Sequence, residues 1–273
     1  MNTYKFVLFT AFILPMFISS CDTSNSLDIS SNNTIFFQPT YHGKAVNCTS
    51  KIKHSNKHWH YSQLQFYISA IALKNSRGEW QKTELIKSPF QTEYIALIGE
   101  HCNLGNTKNK SNWQLNIAKH ADLNNFSHIR FDIGLPFDIN HLNPLTQESP
   151  LNVPNMFWGW QKGHKFLRLE MLSDTDNWLF HLGSTGCFAQ SPLRAPKKEC
   201  RYPNRKSFEL ALNKAKTPIT FDLAKLLNNV ILQEQTSCQS SPENTSCQTL
   251  FNNLNSKGEQ SVFQLNTSKM NHE

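Results

Sequence analysis

The sequence predicts an all-β protein: a disulfide-stapled β-sandwich with long loops and one or two short helices. Three observations support this fold class. Apolar and polar residues alternate along several segments, turn signals separate those segments, and six cysteines remain once Cys21 is set aside. An even number of cysteines in an exported chain favours disulfides over free thiols.

Period-two alternation places every second side chain on the same face of a strand. Three such faces are predicted, each typical of a half-buried strand: Leu64, Phe66, Ile68 and Ala70; Ile129, Phe131 and Ile133; and Trp178, Phe180 and Leu182. Turn signals stand between them at Ser76-Arg77-Gly78, Gly105-Asn106, Asn143-Pro144 and Pro203-Asn204.

Helical patterns are confined to short pieces. In residues 222–229, Asp222 can cap a first turn, and Leu223, Leu226 and Leu227 recur at helical spacing. A second short helix is predicted to begin near Pro242.

The N-terminus is typical of a bacterial lipoprotein. Residues 1–20 contain Lys5 and an apolar run that ends before Cys21, so we predict a signal peptide and lipidation of Cys21. The run is shorter than the roughly 20 residues that span a bilayer. Residues 21–34 are predicted to form a flexible tether, and residues 35–273 a single β domain. Asp22 favours the inner membrane, facing the periplasm.

The charge pattern does not indicate a nucleic-acid site. The chain has a net charge of +7, but its basic residues are scattered. The densest basic piece is Arg194, Lys197 and Lys198, and Glu199 follows it directly. A solvated basic loop explains this piece better than a binding stripe.

Six cysteines permit fifteen pairings. Short loops favour Cys187 with Cys200 and Cys238 with Cys247, which leaves Cys48 for Cys102. Thiolate ligation of a metal is the weaker interpretation, because the sequence has no CxxC pair and an oxidising compartment consumes free thiolates.

Four blocks of the sequence stand out together. They are QFYISAIAL (65–73), IRFDIGLPFDINH (129–141), PLNVPNMFWGWQKGHKFLRLEM (150–171), and FHLGSTGC (180–187) with CRYPNR (200–205). In residues, order and spacing these blocks resemble the MbnP-like family, the four-Cys-motif members of metallo-mystery pair systems, which are related to the copper proteins CorA and MopE. Residues 237–254 resemble the family's paired-cysteine tail.

The resemblance implies a copper-binding protein and not an enzyme. It further implies that one tryptophan is oxidised to kynurenine by a partner that resembles a di-haem cytochrome c peroxidase, MbnH-like and encoded alongside. Indole N–H only donates a hydrogen bond, whereas kynurenine exposes an aromatic amine that can ligate a metal. Imidazole suits copper, although zinc is nearly indistinguishable at this level.

Four histidines are candidate ligands. His58 and His60 project to one face if their segment is extended, but a solvated polar loop is an equally good interpretation. His181 has the opposite strand parity to Phe180 and Leu182, so it points away from their packed face. His141 follows Asn140 at the end of the predicted 129–140 strand. For His181 and His141 the alternative is a hydrogen bond to a neighbouring backbone carbonyl.

Three tryptophans are candidates for oxidation. Trp158 and Trp160 lie in the most family-like block, at a spacing that places both on one face of a strand, where core packing is the alternative role. Trp59 is third because it stands between His58 and His60.

Two other classes of function remain open. A metal-free envelope module could use exposed aromatic residues to bind a glycan or protein. An independent enzyme is least favoured, because the sequence lacks GxSxG, HExxH, CxxCH and a Gly-rich phosphate loop. Glu170 could be a catalytic carboxylate, but pairing with Arg168 is the commoner role for such a residue.

Overall fold

The computed structural model describes residue 1 and residues 33–102, 110–118, 121–212 and 217–265. The predicted lipidation site, Cys21, and nearly all of the predicted signal peptide and tether lie outside these ranges. No helix among the described residues is long and apolar enough to cross a membrane.

Strands dominate the described chain. They are β1 (Thr34–Tyr41), β2 (Lys44–Ala45), β3 (Ile52–His54), β4 (Lys57–Asn75), β5 (Trp80–Lys82), β6 (Ala96–His101), β7 (Lys110–Asn112), β8 (Gln114–Asn116), β9 (Phe126–Ile133), β10 (Phe157–Gly159), β11 (Gly163–His164), β12 (Leu167–Leu172), β13 (Asn177–Leu182), β14 (Lys206–Ala211), β15 (Ile219–Asp222) and β16 (Phe263–Leu265). The α-helices are α1 (Phe137–Asn140), α2 (Leu223–Leu226) and α3 (Thr245–Asn255). Short 3-10 turns lie at Leu123–Asn125, Pro144–Thr146, Pro154–Met156, Glu234–Thr236 and Gly258–Gln260.

Two sheets form the sandwich. The smaller has the order β16-β15-β1-β2, and β8 also pairs with β1. The larger follows β13-β12-β4-β6-β7, and the long β4 additionally pairs with β3, β5 and β9, while β14 pairs with β9. Strands β1 and β15 run parallel, and the other named pairs are antiparallel.

Phenylalanines from both sheets fill the space between them. Phe263 of the smaller sheet lies at the centre, with its ring centroid 5.6 Å from Phe66, 5.3 Å from Phe131 and 4.7 Å from Phe208 of the larger sheet. These rings meet edge to face, the arrangement that the aromatic quadrupole favours. The predicted all-β, disulfide-stapled sandwich is therefore confirmed.

Alternation predicts the buried faces correctly except at one position. Leu64, Phe66 and Ile68 are fully buried, but Ala70 is exposed and has a φ of +51°. The pairing of β4 with β9 shifts register between Ser69 and Ala72. This β-bulge rotates Ala70 out of the apolar face, which local alternation does not reveal.

The predicted helices are present, with one addition. The Asp222 side chain accepts a hydrogen bond from the Ala224 N–H at the start of α2, and α3 begins three residues after Pro242 with Asn244 as its cap. The unpredicted helix is α1, which replaces the second half of the predicted 129–140 strand. His141 therefore caps a helix and does not end a strand.

All three predicted disulfides form. Cys48 is joined to Cys102, Cys187 to Cys200, and Cys238 to Cys247. The domain begins slightly earlier than predicted: Thr34, assigned from the sequence to the tether, is buried in β1 and pairs with Asn116.

Candidate metal site beside Trp158

The outer face of the larger sheet carries a row of polar side chains. Register places Gln63 of β4 opposite Glu170 of β12, and Gln65 opposite Arg168. On the other side of β12, Arg168 lies opposite His181 of β13. Gln63 and Gln65 are buried, so this polar face is covered, in contrast to an ordinary solvated sheet face.

His181 has two differently placed ring nitrogens. Nε2 lies 2.9 Å from Glu170 Oε1, and the side chain is only 8 % exposed. Nδ1 is buried and has no hydrogen-bond partner among the described residues. With the proton on Nε2, the ring donates to the carboxylate and leaves a buried lone pair on Nδ1. A buried acceptor without a partner is costly, so this atom requires an explanation.

Glu170 remains ionised because two neighbours outweigh its desolvation. Burial opposes ionisation, but the hydrogen bond from His181 and the Arg168 guanidinium lower the Glu170 pKa to about 2. Arg168 bonds the same oxygen, Oε1, at 2.7 Å. Burial lowers the His181 pKa more than Glu170 raises it, so the imidazole is neutral at neutral pH and its lone pair is available.

The segment around Asn155 covers this face. Its backbone carbonyl accepts hydrogen bonds from Lys165 Nζ at 2.8 Å and Arg168 Nη1 at 2.6 Å. Its side-chain Nδ2 lies 3.4 Å from Gln63 Oε1, while its Oδ1 is a second buried acceptor with no partner among the described residues. Burial and the Arg168 charge lower the Lys165 pKa to about 8.

Trp158 flanks His181. The two ring centroids are 6.2 Å apart, and Trp158 is half-buried. The six-membered ring of its indole lies against Gly183, where an added Cβ would overlap Trp158 Cζ3 and lie 2.9 Å from the His164 carbonyl oxygen. The lack of a side chain at Gly183 therefore makes room for Trp158 beside the histidine.

Trp160 and Trp59 occupy other surroundings. Strand β10 ends at Gly159, so Trp160 lies in the following turn and does not extend the predicted shared face. Its ring contacts Phe157 at 6.3 Å between centroids. Trp59 is 1 % exposed in the core, and its Nε1 has no partner among the described residues.

The structure does not gather the four predicted histidines into one group. His58 is exposed and His60 half-buried on the same face of β4, as their spacing predicts, while Trp59 faces the core. His60 lies opposite Leu172, four residues along β12 from the partner of His181. At about 3.3 Å per residue, that is roughly 13 Å along the strand.

His141 lies near the Cys187–Cys200 disulfide. Its Nε2 is 3.5 Å from Cys200 Sγ, and its Nδ1 is 3.4 Å from the Trp160 carbonyl oxygen. Burial lowers its pKa. The β10–β11 hairpin therefore contacts two of the candidate histidines: the Trp158 ring lies beside His181, and the Trp160 carbonyl lies beside His141.

Several features of this face are missed by the sequence reasoning. Glu170 is predicted to pair with Arg168, and it does, but its bond to His181 is not predicted. Asn155, Lys165 and the two glutamines are not singled out at all. The sequence does contain one signal for this face. Gln63 and Gln65 alternate with Leu64 and Phe66 in a strongly apolar segment, which indicates a polar face on a strand that lies inside the protein.

A sequence model described as MbnP matches residues 30–242. The chain belongs to the MbnP family. The solved structure of MbnP from Methylosinus trichosporium superposes with a TM-score of 0.68 at 21 % sequence identity, covering 80 % of this chain and 86 % of that one. No curated protein matches the chain. Family membership agrees with the predicted resemblance and is consistent with a metal-related role.

Proposed function

We propose that this chain is a copper-binding member of the MbnP family whose metal site is built on His181 Nδ1 and on Trp158 after oxidation to kynurenine. The oxidant is a di-haem peroxidase-like partner, and the protein is held at the periplasmic face of a membrane by a lipid on Cys21. The chain itself is cargo binder and oxidation substrate, not the catalyst.

The orientation of His181 is the observation that carries the proposal. Metal-binding histidines nearly always donate their second ring N–H to a carboxylate or carbonyl, which fixes the tautomer and raises ligand basicity. His181 donates from Nε2 to Glu170, and Nδ1 remains buried without a protein partner among the described residues. A metal ion would use this lone pair and remove the cost of leaving it unsatisfied.

Copper fits the donors better than hard cations do. Imidazole nitrogen binds copper strongly, and copper leads the divalent affinity order. The same covered face contains Met156, whose thioether sulfur lies 3.7 Å from Gln63 Nε2, and thioethers favour Cu(I). Magnesium and calcium prefer sets of oxygen donors.

Trp158 is the tryptophan best placed to become a ligand. Two equivalents of peroxide open the pyrrole ring to N-formylkynurenine and release two waters, and hydrolysis then releases formate and leaves kynurenine. The amine of the product remains on the benzene ring, which in Trp158 packs against Gly183, two residues from His181. Trp59 is an inferior candidate, because its surroundings are closed.

Peptide mapping by mass spectrometry, after co-expression with a di-haem peroxidase-like protein as the proposed oxidant, tests this assignment. We expect Trp158 alone to lose one carbon and gain one oxygen. Gly183→Ala should reduce this conversion at least tenfold, because the new methyl group displaces the indole. Gly159→Ala is the matched control. Gly159 lies next to Trp158 on the β10–β11 hairpin, and an added Cβ there meets nothing within 4 Å.

Conversion at Trp59 or Trp160 in place of Trp158 would contradict the assignment, as would equal conversion in the two glycine variants. Both variant proteins are compared by thermal unfolding, so that loss of the fold is not read as loss of the site.

The membrane anchor has its own test. The unaltered protein should incorporate labelled palmitate, and Cys21→Ser, which removes the thiol that is lipidated, should not. Absence of the label from the unaltered protein, or equal incorporation by the two proteins, would contradict the lipid anchor and leave the metal site unaffected.

A further inference from the structure

A second cluster of metal-binding residue types lies on the other side of the β10–β11 hairpin. The imidazole of His141 and the sulfurs of Cys187 and Cys200 all lie within 4.8 Å of one another. His141 and Cys200 are buried, and Cys187 is half-buried. Among the described residues, no other group of three or more His, Cys, Asp or Glu side chains meets this distance criterion.

The unprotonated nitrogen of the imidazole lies beside Cys200. Nδ1 lies 3.4 Å from the Trp160 carbonyl oxygen, so it carries the proton and donates. Nε2 then accepts a hydrogen bond from the Asn140 side-chain nitrogen at 3.1 Å and lies 3.5 Å from Cys200 Sγ, so a metal ion would take the lone pair that Asn140 now uses. An N–H donated to a backbone carbonyl is one of the partners that orient metal-binding histidines.

We propose that the Cys187–Cys200 disulfide is a masked metal site: when a dithiol reductant opens it, the two thiols and His141 bind one Cu(I) ion. The disulfide takes two electrons and two protons from the dithiol, which leaves as a disulfide. Cu(I) then displaces both thiol protons and binds two thiolates and the neutral imidazole.

The dimensions suit a single ion. Metal–thiolate bonds of about 2.3 Å and metal–imidazole bonds of about 2.0 Å place ligand atoms about 3.5–4 Å apart. The three ligand atoms already lie within 4.8 Å, so small side-chain rotations suffice once the sulfur–sulfur bond is broken. Two thiolates form a soft donor set that selects Cu(I) over hard cations.

Access to the two sulfurs is unequal. Cys187 is half-buried and follows Gly186, whereas Cys200 is 5 % exposed. An incoming thiolate can therefore reach Cys187, and the Cys200 sulfur departs beside His141. In contrast, Cys238 and Cys247 are fully buried, which shields their disulfide from the same attack.

This second site is independent of the one at His181, so either can fail alone. The test is a Cu(I) titration against a competing chelator, using full-length mature protein before and after treatment with a phosphine reductant that is then removed. Thiol counting gives the number of opened disulfides. Because Cys48 is also half-buried, its disulfide with Cys102 can open too. The titration is therefore made in the Cys48→Ser, Cys102→Ser protein, where we expect the reduced form to bind one more equivalent of Cu(I) than the oxidised form.

Amino-acid substitutions show which residues bind the additional equivalent of Cu(I). Cys187→Ser with Cys200→Ser should abolish it, and His141→Ala should weaken it at least tenfold. Cys48→Ser with Cys102→Ser and, separately, His181→Ala should retain it. Absence of an added equivalent in reduced, still folded protein would overturn the proposal. So would its persistence when Cys187 and Cys200 are replaced. Far-UV circular dichroism monitors the fold of each variant.

Discussion

His181 and the His58–His60 pair are all candidate copper ligands, but they differ in burial and in hydrogen bonding. His181 is buried; one ring nitrogen is hydrogen-bonded to Glu170, and the other has no partner among the described residues. His58 and His60 stand together near the start of β4, and His58 is exposed to water. A buried imidazole whose tautomer is fixed by a carboxylate is the arrangement typical of a metal ligand, whereas the density of histidines along the sequence does not by itself produce it.

The largest expected effect is on copper affinity, which should depend on His181 and not on His58 and His60. His181→Ala removes the proposed ligand, so affinity should fall by more than the roughly 10- to 100-fold that loss of an outer partner costs. The double change His58→Ala, His60→Ala should alter affinity less than about threefold. Competitive titration measures both, with thermal unfolding as the control for folding. Equal losses of copper affinity in the His181 variant and the double variant would contradict the assignment of His181 as the ligand.

A smaller effect is expected when only the orientation of His181 is disturbed. Glu170→Gln keeps the shape but removes the negative charge that fixes the imidazole, so copper affinity should fall by about 10- to 100-fold. Asp176→Asn is the matched control, because Asp176 pairs with Lys57 at the exposed end of β4. If Glu170→Gln binds copper like the unaltered protein, the carboxylate has no orienting role.

The smallest effect concerns the ion pair beside His58. Lys57 is 44 % exposed, so Lys57→Ala should lower the free energy of unfolding by less than about 1 kcal/mol. Copper affinity should remain unchanged. Chemical denaturation gives the first quantity. A loss of several kcal/mol would show that this end of β4 is more tightly organised than its exposure indicates.

Much of the fold follows from local pattern. Alternation at Trp178, Phe180 and Leu182 predicts a buried face, and the same parity argument predicts that His181 faces the opposite way. Cysteine spacing predicts the three disulfides. These features depend on neighbours in sequence, which is why they can be predicted from one chain.

The structure of the site depends on contacts that are distant in sequence. Glu170 reaches His181 because β12 and β13 pair in one particular register, with Arg168 opposite His181. Alternation fixes a face but not a register. The bulge at Ala70 and the end of β10 before Trp160 likewise depend on neighbouring strands.

Anomalous diffraction at the copper absorption edge tests the central claim most directly. The crystals are grown from copper-loaded protein that has been co-expressed with the proposed di-haem oxidant. We expect a peak about 2.0–2.1 Å from His181 Nδ1, the usual metal–imidazole distance, with the modified Trp158 side chain beside it. A peak at His58 and His60, with none near His181, would contradict it.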